Sequence, residues 1–453
     1  MSPAPRTDVN RYDVAIIGAG AAGLAAARSL SGAGKRVCLL EARGRIGGRV
    51  FSLHLPDLPL PVELGAEFIH GENATTFAIV DAAGLTAAQL PDNHWWSRDG
   101  RWELVEGFWE QVERLRAKIP DRQTDLSFDA FLRSRRGLSP RLRELACTFV
   151  EGYHAAHADR ISALALRASD GEQEEGDPKQ FRLAGGQDAI VEWLRAGLDP
   201  DRVDLRLGTI ATDVRWSQGS VAIGCRSSAT RATETIRAAA LIVTIPIGVW
   251  KAPHDQEGAI RFDPPLREKE RALALIEPGH VVKIAFRFRE RFWDEGSFTA
   301  ERARTKADRG TPPNFVHSSS RFMPTWWTAG PFRSPVVIGW AGGSAADALL
   351  AEGSGAIVDR GLDALAEAWC VPRRRLESLL VGTFTHDWQS DPFSRCAYSY
   401  AGVGGKDAHA ALGKPLRGTL FFAGEATSGD ETGTVAGAIE SGRRAAKELL
   451  RRK

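Results

Sequence analysis

The chain predicts an α/β fold in which a parallel sheet is interleaved with a second, mixed α+β lobe, and three observations carry that expectation. First, residues 12–17 are a β-rich apolar run, 18–23 glycine punctuation, 24–30 alanine-rich, and 36–40 a second apolar run that stops at Glu41. A helix between two apolar strands of this length is a βαβ unit, which demands a parallel sheet. Second, 453 residues exceed what one hydrophobic core usually serves. Third, short strands return at 203–247 after a mostly helical stretch, and a strand with a helix closes the chain.

Taken in order, helical periodicity between 70 and 200 is clearest at 75–83, 107–118 and 140–154. The strands of 203–247 end in the apolar run 240–245, and a further strand, 280–288, follows the break at Pro264-Pro265. Residues 294–335 read as irregular and include a charged stretch at 301–309. At the end, a strand at 419–422 precedes a helix over 434–450. The expected division is a nucleotide-binding lobe from 8–85, 196–258 and 385–453, with a second lobe from 86–195 (helical) and 259–384 (sheet).

Composition excludes several classes. Hydrophobic residues at 43% and charged residues at 26% suit a soluble globular protein, and a formal charge of +2 asks for neither nucleic acid nor a membrane surface. Residues 1–10 lack the apolar core of a secretory signal, and no run reaches the roughly 18 apolar residues of a membrane span. Cys38, Cys147, Cys225, Cys370 and Cys396 are scattered and odd in number, which argues against a disulfide framework or zinc site and for a reducing, cytoplasmic location. The expected assembly is a monomer or homodimer.

The glycine punctuation has a chemical reading. In Gly18-Ala19-Gly20-Ala21-Ala22-Gly23, Gly18 permits the sharp turn, Gly20 lets backbone approach a pyrophosphate, and Gly23 lets helix and sheet pack closely. Phosphates then sit on free amides at the positive end of the helix dipole, and Glu41 falls where a carboxylate binds ribose hydroxyls. This is a Rossmann-type pattern, and it leaves NAD and FAD both open.

The next block, Glu41-Ala42-Arg43-Gly44-Arg45-Ile46-Gly47-Gly48-Arg49, resembles the flavin amine oxidases, the family of monoamine oxidases, polyamine oxidases and flavin-dependent histone lysine demethylases. Further blocks match in order: Glu63 to Gly71, Val243 to Val249, Phe422 to Glu425 and Thr432 to Ala438. The resemblance implies FAD, held by Gly18, Gly20, Ala22, Gly23, Glu41, Ala42, Arg43, Gly47, Gly48 and Arg49 at the adenosine and pyrophosphate. It implies Gly65, Ala66, Glu67 and Phe68 along the flavin ring, and backbone of Val214 at the adenine. Gly424, Glu425, Thr434 and Val435 form the second motif, where a helix N-terminus faces the edge of the flavin that becomes negative on reduction. Arginine suits pyrophosphate because its planar fork donates two hydrogen bonds to one group.

The same resemblance assigns the chemistry. Lys283 lies in an otherwise apolar strand, on the face of Val281 and Ala285, where the family's lysine holds a water against flavin N5 and assists reoxidation. A buried lysine is costly unless paired, which favours a functional reason. Trp388 packs against the flavin, and Tyr398 is one wall of an aromatic cage that guides an amine to N5. The second cage tyrosine of monoamine oxidases corresponds to Thr434, and their flavin-linking cysteine to Ala397, with Cys396 one place out of register; FAD is therefore expected without a covalent link. His70 falls at the active-site mouth, where a titratable group could select or deprotonate the incoming nitrogen. The implied reaction passes a hydride from the carbon beside an amine nitrogen to the flavin, with O2 as acceptor and hydrogen peroxide released, and Thr434 with His70 leans towards polyamines or secondary amines.

Other features are read conservatively. Glu151, His154 and His157, at i, i+3, i+6, are a polar helix face, and no metal is expected. The acidic run Glu172, Glu174, Glu175 and Asp177 is a solvated loop, with polyamine attraction as the alternative. Trp95, Trp96, Trp102, Trp109, Trp326, Trp327 and Trp340 fit either a substrate tunnel or the core. Alternative activities on the same fold are an L-amino-acid oxidase, which needs an arginine for the substrate carboxylate, and a protoporphyrinogen-oxidase-like or desaturase-like enzyme. A non-enzymatic flavin scaffold or a demethylase of peptide tails is the alternative outside that class.

Overall fold

The computed structural model describes residues 11–120, 124–168, 179–295 and 298–451. Its N-terminal βαβ unit is the strand Arg11–Ile17, the helix Ala21–Gly32 and the strand Val37–Leu40. Arg11–Ile17 pairs in parallel with Val37–Leu40 on one side and with Thr233–Val243 on the other. Val37–Leu40 in turn pairs in parallel with Val203–Arg206. The long strand Thr233–Val243 changes neighbours along its length: its first half pairs antiparallel with Ser220–Ser227, and Leu241 to Val243 pair in parallel with Leu420–Phe422. One sheet is thus assembled from segments hundreds of residues apart.

Both faces of this sheet are covered. On one, Val14, Ile16, Leu39 and Ile242 pack against the helix Ala21–Gly32 and the C-terminal helix Val435–Leu450. These two helices touch so closely that a Cβ on Gly442 would lie 2.2 Å from the carbonyl oxygen of Ala22. On the other face, Ala15, Ile17, Leu241 and Val243 join Val214, Ile223 and Phe422. Strands buried on both sides read as continuous apolar runs, which is why 12–17 and 36–40 stand out in the sequence.

The second sheet has seven strands in the order Leu380–Thr385, Val281–Phe288, Val336–Gly342, Thr325–Thr328, Phe315–His317, His94–Arg98 and Arg101–Leu104. One expectation fails here. The stretch 294–335 is not irregular, since it supplies the short strands Phe315–His317 and Thr325–Thr328. The mostly helical stretch 70–200 also supplies the short strands His94–Arg98, Arg101–Leu104 and Gln180–Leu183. Each of these strands is five residues or shorter, and their tryptophans and histidines are held by cross-strand contacts that no local period reveals. The helices Ala74–Ala82, Phe108–Arg116 and Pro140–His154 do form, the last with Ser139 capping it and Pro140 in its first turn.

Along Val281–Phe288 the side chains alternate strictly. Val282, Ile284, Phe286 and Phe288 enter the cluster built with the helix Ile357–Trp369, while Ala285 faces the opposite cluster and Val281 and Lys283 reach the wall of the large cavity. The tryptophans divide as well. Trp95, Trp102 and Trp326 are fully buried core and Trp96 packs beneath the helical layer, whereas Trp109, Trp327 and Trp340 line the cavity. No described helix is long and apolar enough to cross a membrane.

Candidate active site

A cavity of about 1290 Å³ begins at the glycine turn and ends among aromatic rings. At its first end, Gly20 precedes the helix Ala21–Gly32 and no side chain caps that helix. Amides of the first turn have no intrahelical acceptor, and Gly20, Ala21 and Ala22 all stand on the cavity wall. The result is a helix N-terminus open to an anion. Gly18 has φ +103°, and a Cβ on Gly23 would lie 1.8 Å from the carbonyl oxygen of Gly18, so the turn and the helix cannot meet with any larger residue. Glu41 spans the turn: one carboxylate oxygen accepts from the amide of Ala19 and the other from that of Arg43, each at 2.9 Å.

The arginines of the next block are used in three ways. Arg45 braces the Gly47-Gly48 turn by donating to the carbonyls of Ile46, Gly48 and Val50, with its guanidinium 4.0 Å from the centre of the Phe51 ring. Arg49 donates to the carbonyl of Ala397 at 2.7 Å and pairs with Glu425 at 3.0 Å, and Glu425 also accepts from the Ser399 hydroxyl. Arg43 lines the cavity, but its fork is not held open for phosphate as expected. It pairs with Asp391 at 2.7 Å and donates to the Ser394 hydroxyl. Burial would raise the Asp391 carboxyl, yet hydrogen bonds from His386 and Arg43 hold it well below the usual carboxylate range.

The side chain of Val214 is buried with Ile223 and Cys225, and Thr209, Ile210 and Ala211 form the cavity wall along that strand, before a bulge between Ala211 and Asp213. Gly65 lines the cavity where no side chain fits, since a Cβ there would lie 1.9 Å from the carbonyl oxygen of Arg49. At the C-terminal motif, Gly424, Glu425, Thr434 and Val435 line the cavity. Thr434 caps the helix Val435–Leu450, accepting from the amide of Gly437 and donating to the carbonyl of Glu431, each at 2.9 Å.

Beyond Gly65 the wall becomes charged, then aromatic. Lys283 and Glu67 are only 3% and 7% exposed and pair at 2.7 Å, while Lys283 also donates to the carbonyl of Gly65. Glu67 takes a second ion pair from Arg182 at 2.6 Å and a hydrogen bond from the Trp327 indole. Burial alone would raise its pKa, but Lys283 and Arg182 outweigh that and hold it below the ordinary value. The buried lysine is thus paired, as its burial requires. Glu63, at the end of the short strand Val62–Glu63 and hydrogen-bonded to Ser52 and the amide of Gln187, is pushed up to about 7 by burial despite Lys283 and those hydrogen bonds.

The aromatic end joins residues from distant segments. Trp388 donates its indole N–H to the carbonyl of Leu64, and its ring sits 4.2 Å from that of His386. Tyr398 donates its hydroxyl to the carbonyl of Tyr153 at 2.7 Å, which fixes its ring on the wall. Tyr153 stacks on Phe149 and meets Trp109 and His70 edge-on. His70 is no surface turn residue. It lines the cavity with its Nδ1 unpartnered, and burial lowers its pKa to about 4, so the ring is neutral at physiological pH. Tyr153, Phe149 and His154 were not singled out for this wall, although Phe149 and Tyr153 at i, i+4 in 140–154 mark one helical face.

Of the conservative readings, His157 lies beyond the helix Pro140–His154 and pairs with Asp347, while Glu151 bonds to Ser344, so the three side chains share no helix face. Among the described residues no group of three His, Cys, Asp or Glu is placed to hold a metal ion. The acidic run Glu172, Glu174, Glu175 and Asp177 lies outside the described residues.

A parallel nucleotide-type sheet whose open helix end shares one cavity with a buried lysine and an aromatic chamber defines a dinucleotide-dependent oxidoreductase. Comparison with known proteins agrees: the profile for flavin containing amine oxidoreductases matches residues 21–450, and the chain belongs to that family of flavin-dependent amine oxidases. It is 27% identical to polyamine oxidase 3 of Oryza sativa subsp. japonica, over 96% of this chain and 89% of that one. It is also 27% identical to lysine-specific histone demethylase 1 homolog 3 of Arabidopsis thaliana, over 98% of this chain, although it spans only 30% of that protein's length. The fold superposes on wild-type putrescine oxidase bound to putrescine with a TM-score of 0.78 at 20% identity, over 98% and 99% of the two chains.

Proposed function

We propose that this chain binds FAD without a covalent link and oxidises amines, polyamines or secondary amines by preference, at the carbon beside the nitrogen. One observation carries the reading: a single cavity joins the uncapped helix at Gly20 to the chamber of Tyr398, Tyr153 and His70, passing Lys283 on the way. The residues fit FAD. The open amides of Ala21 and Ala22 suit the pyrophosphate, Glu41 the ribose, and the helix starting at Val435 the flavin. Trp388, Gly65 and Ala66 line the stretch of wall between. Cys396 is buried with its thiol raised to about 11, and Ala397 stands on the wall instead, which supports non-covalent binding. All five cysteines are free thiols, which suits a cytoplasmic location.

When bound, FAD supplies a two-electron acceptor that takes a hydride from the substrate and returns the electrons to O2 as hydrogen peroxide. The chain's own residues do the rest. Tyr398, anchored through its hydroxyl, offers a fixed π-face that orients the amine and tolerates residual positive charge. His70, neutral and with a free Nδ1, takes a hydrogen bond from an incoming N–H. Lys283, held by Glu67 and the Gly65 carbonyl, keeps an ammonium at the wall where it can position a water and oppose developing negative charge. Water then hydrolyses the imine to an aldehyde or ketone.

The amino-acid oxidase alternative needs an arginine free to meet a carboxylate. Among the described residues the arginines on the cavity wall are Arg43 and Arg49, already tied to Asp391 and Glu425. A peroxide-coupled assay of the purified yellow protein with mono-, di- and polyamines and L-amino acids tests the reading. Peroxide from di- or polyamines is the expected outcome, and turnover of L-amino acids alone would overturn it.

A further inference from the structure

The chamber wall carries a second polar device, distinct from Lys283 and Tyr398. His317 lines the cavity and its Nε2 lies 2.9 Å from Nδ1 of His94; Nε2 of His94 lies 3.0 Å from Asp92. Both imidazoles are buried, His94 stacked between Phe108 and Phe315 and His317 lying parallel to Phe108, whereas the Asp92 side chain is 43% exposed. A hydrogen-bonded chain therefore runs from the cavity to solvent.

Its polarity follows from the end group. Burial would raise the Asp92 carboxyl, but hydrogen bonds from His94 and Trp109 keep it below its ordinary value, so it only accepts. The carboxylate takes the Nε2 proton of His94; where Nδ1 of that ring accepts, His317 donates from Nε2 and presents a lone pair at Nδ1. That nitrogen has only the Thr325 hydroxyl nearby, at a long 3.4 Å. His94, with Asp92 behind it, is the titratable group facing His317, and Phe108, Trp96 and Thr325 complete its surroundings.

We infer that Asp92, His94 and His317 form a proton exit for the substrate, a role that rests on the amine-oxidase reading. An alkylammonium gives a proton to Nδ1 of His317, the Nε2 proton of His317 passes to Nδ1 of His94, and the Nε2 proton of His94 passes to Asp92 and water. The amine is left with the free lone pair that loss of a hydride requires. For a primary amine the turnover, ammonium plus O2 and water to aldehyde, ammonium ion and peroxide, is proton-neutral, so a proton moving inward along the same chain resets both rings. His317 touches the substrate; His94 and Asp92 act through it.

The test is kcat/KM for an alkylamine from pH 7 to 10 in wild type, Asp92→Asn and His317→Gln. Asn at 92 keeps the shape of the side chain and one oxygen to accept from His94 or Trp109, so this variant weakens the relay at its half-exposed end. Both variants should lose about tenfold or more at pH 7, where the amine arrives charged, and approach wild type near pH 10, where the neutral amine becomes a large fraction. A loss equal at every pH, or no loss at pH 7, overturns the relay. A wild type inactive on every amine overturns the function proposed above instead, so the two failures are distinct.

Discussion

The two ends of the cavity are built by opposite means. The nucleotide end is made of backbone: open amides at Ala21 and Ala22, glycines that no Cβ could replace, and arginines turned onto protein carbonyls and carboxylates. The amine end is made of side chains brought together from Phe68, Trp109, Tyr153, Phe315 and Tyr398, with Lys283 paired to Glu67 and His70 neutral. Backbone sites tolerate almost no change in local sequence, whereas a side-chain chamber can be rebuilt one residue at a time. Binding of the nucleotide and choice of amine should therefore respond to mutation very differently.

The largest effect is expected at Gly23. Gly23→Val places atoms against the carbonyl of Gly18 and should cost roughly 3 kcal/mol or more. The protein should purify with most of its flavin missing, read as the ratio of visible to ultraviolet absorbance. Next is Lys283→Met. Glu67 keeps Arg182, so the fold should survive, and reoxidation of the reduced protein by O2, followed by stopped flow, should slow about tenfold or more while anaerobic reduction changes far less. Equal slowing of both half-reactions would remove the special place given to that lysine.

A third effect concerns stability. Glu63 is raised to about 7 from 4.5, so the folded chain keeps a proton there that the unfolded chain releases. Its contribution is intact below pH 4.5 and is lost as pH rises towards about 7, amounting to about 3 kcal/mol. Glu63→Gln should flatten this part of the stability curve measured by urea unfolding. The smallest effect is at His70. A ring already neutral above pH 4 cannot produce a step in the kcat/KM profile between pH 6 and 8, so wild type and His70→Asn should show profiles of the same shape.

The same contrast decides what could be read from the residues alone. Gly18, Gly20, Gly23 and Glu41 lie within one strand–turn–helix–strand unit, so their spacing states their geometry. The face of Lys283 followed from strand alternation for the same local reason. The partner of Lys283, Glu67, was legible as a site residue but not as its counter-ion, because the pair spans more than two hundred positions. Tyr153, His94 and His317 were missed because each is ordinary in its own segment and acquires meaning only when two sheets and a helix converge. On the strand of Val214 the residues that meet the cavity are Thr209 to Ala211, which no local pattern marks.

The central claim is that a flavin lies along this cavity with an amine-binding chamber at one end. Anaerobic titration of the purified protein with a polyamine tests it most directly. The account predicts a yellow protein whose visible flavin band bleaches as amine is added and returns when air is admitted. A colourless protein, or a band indifferent to every amine offered, would contradict it.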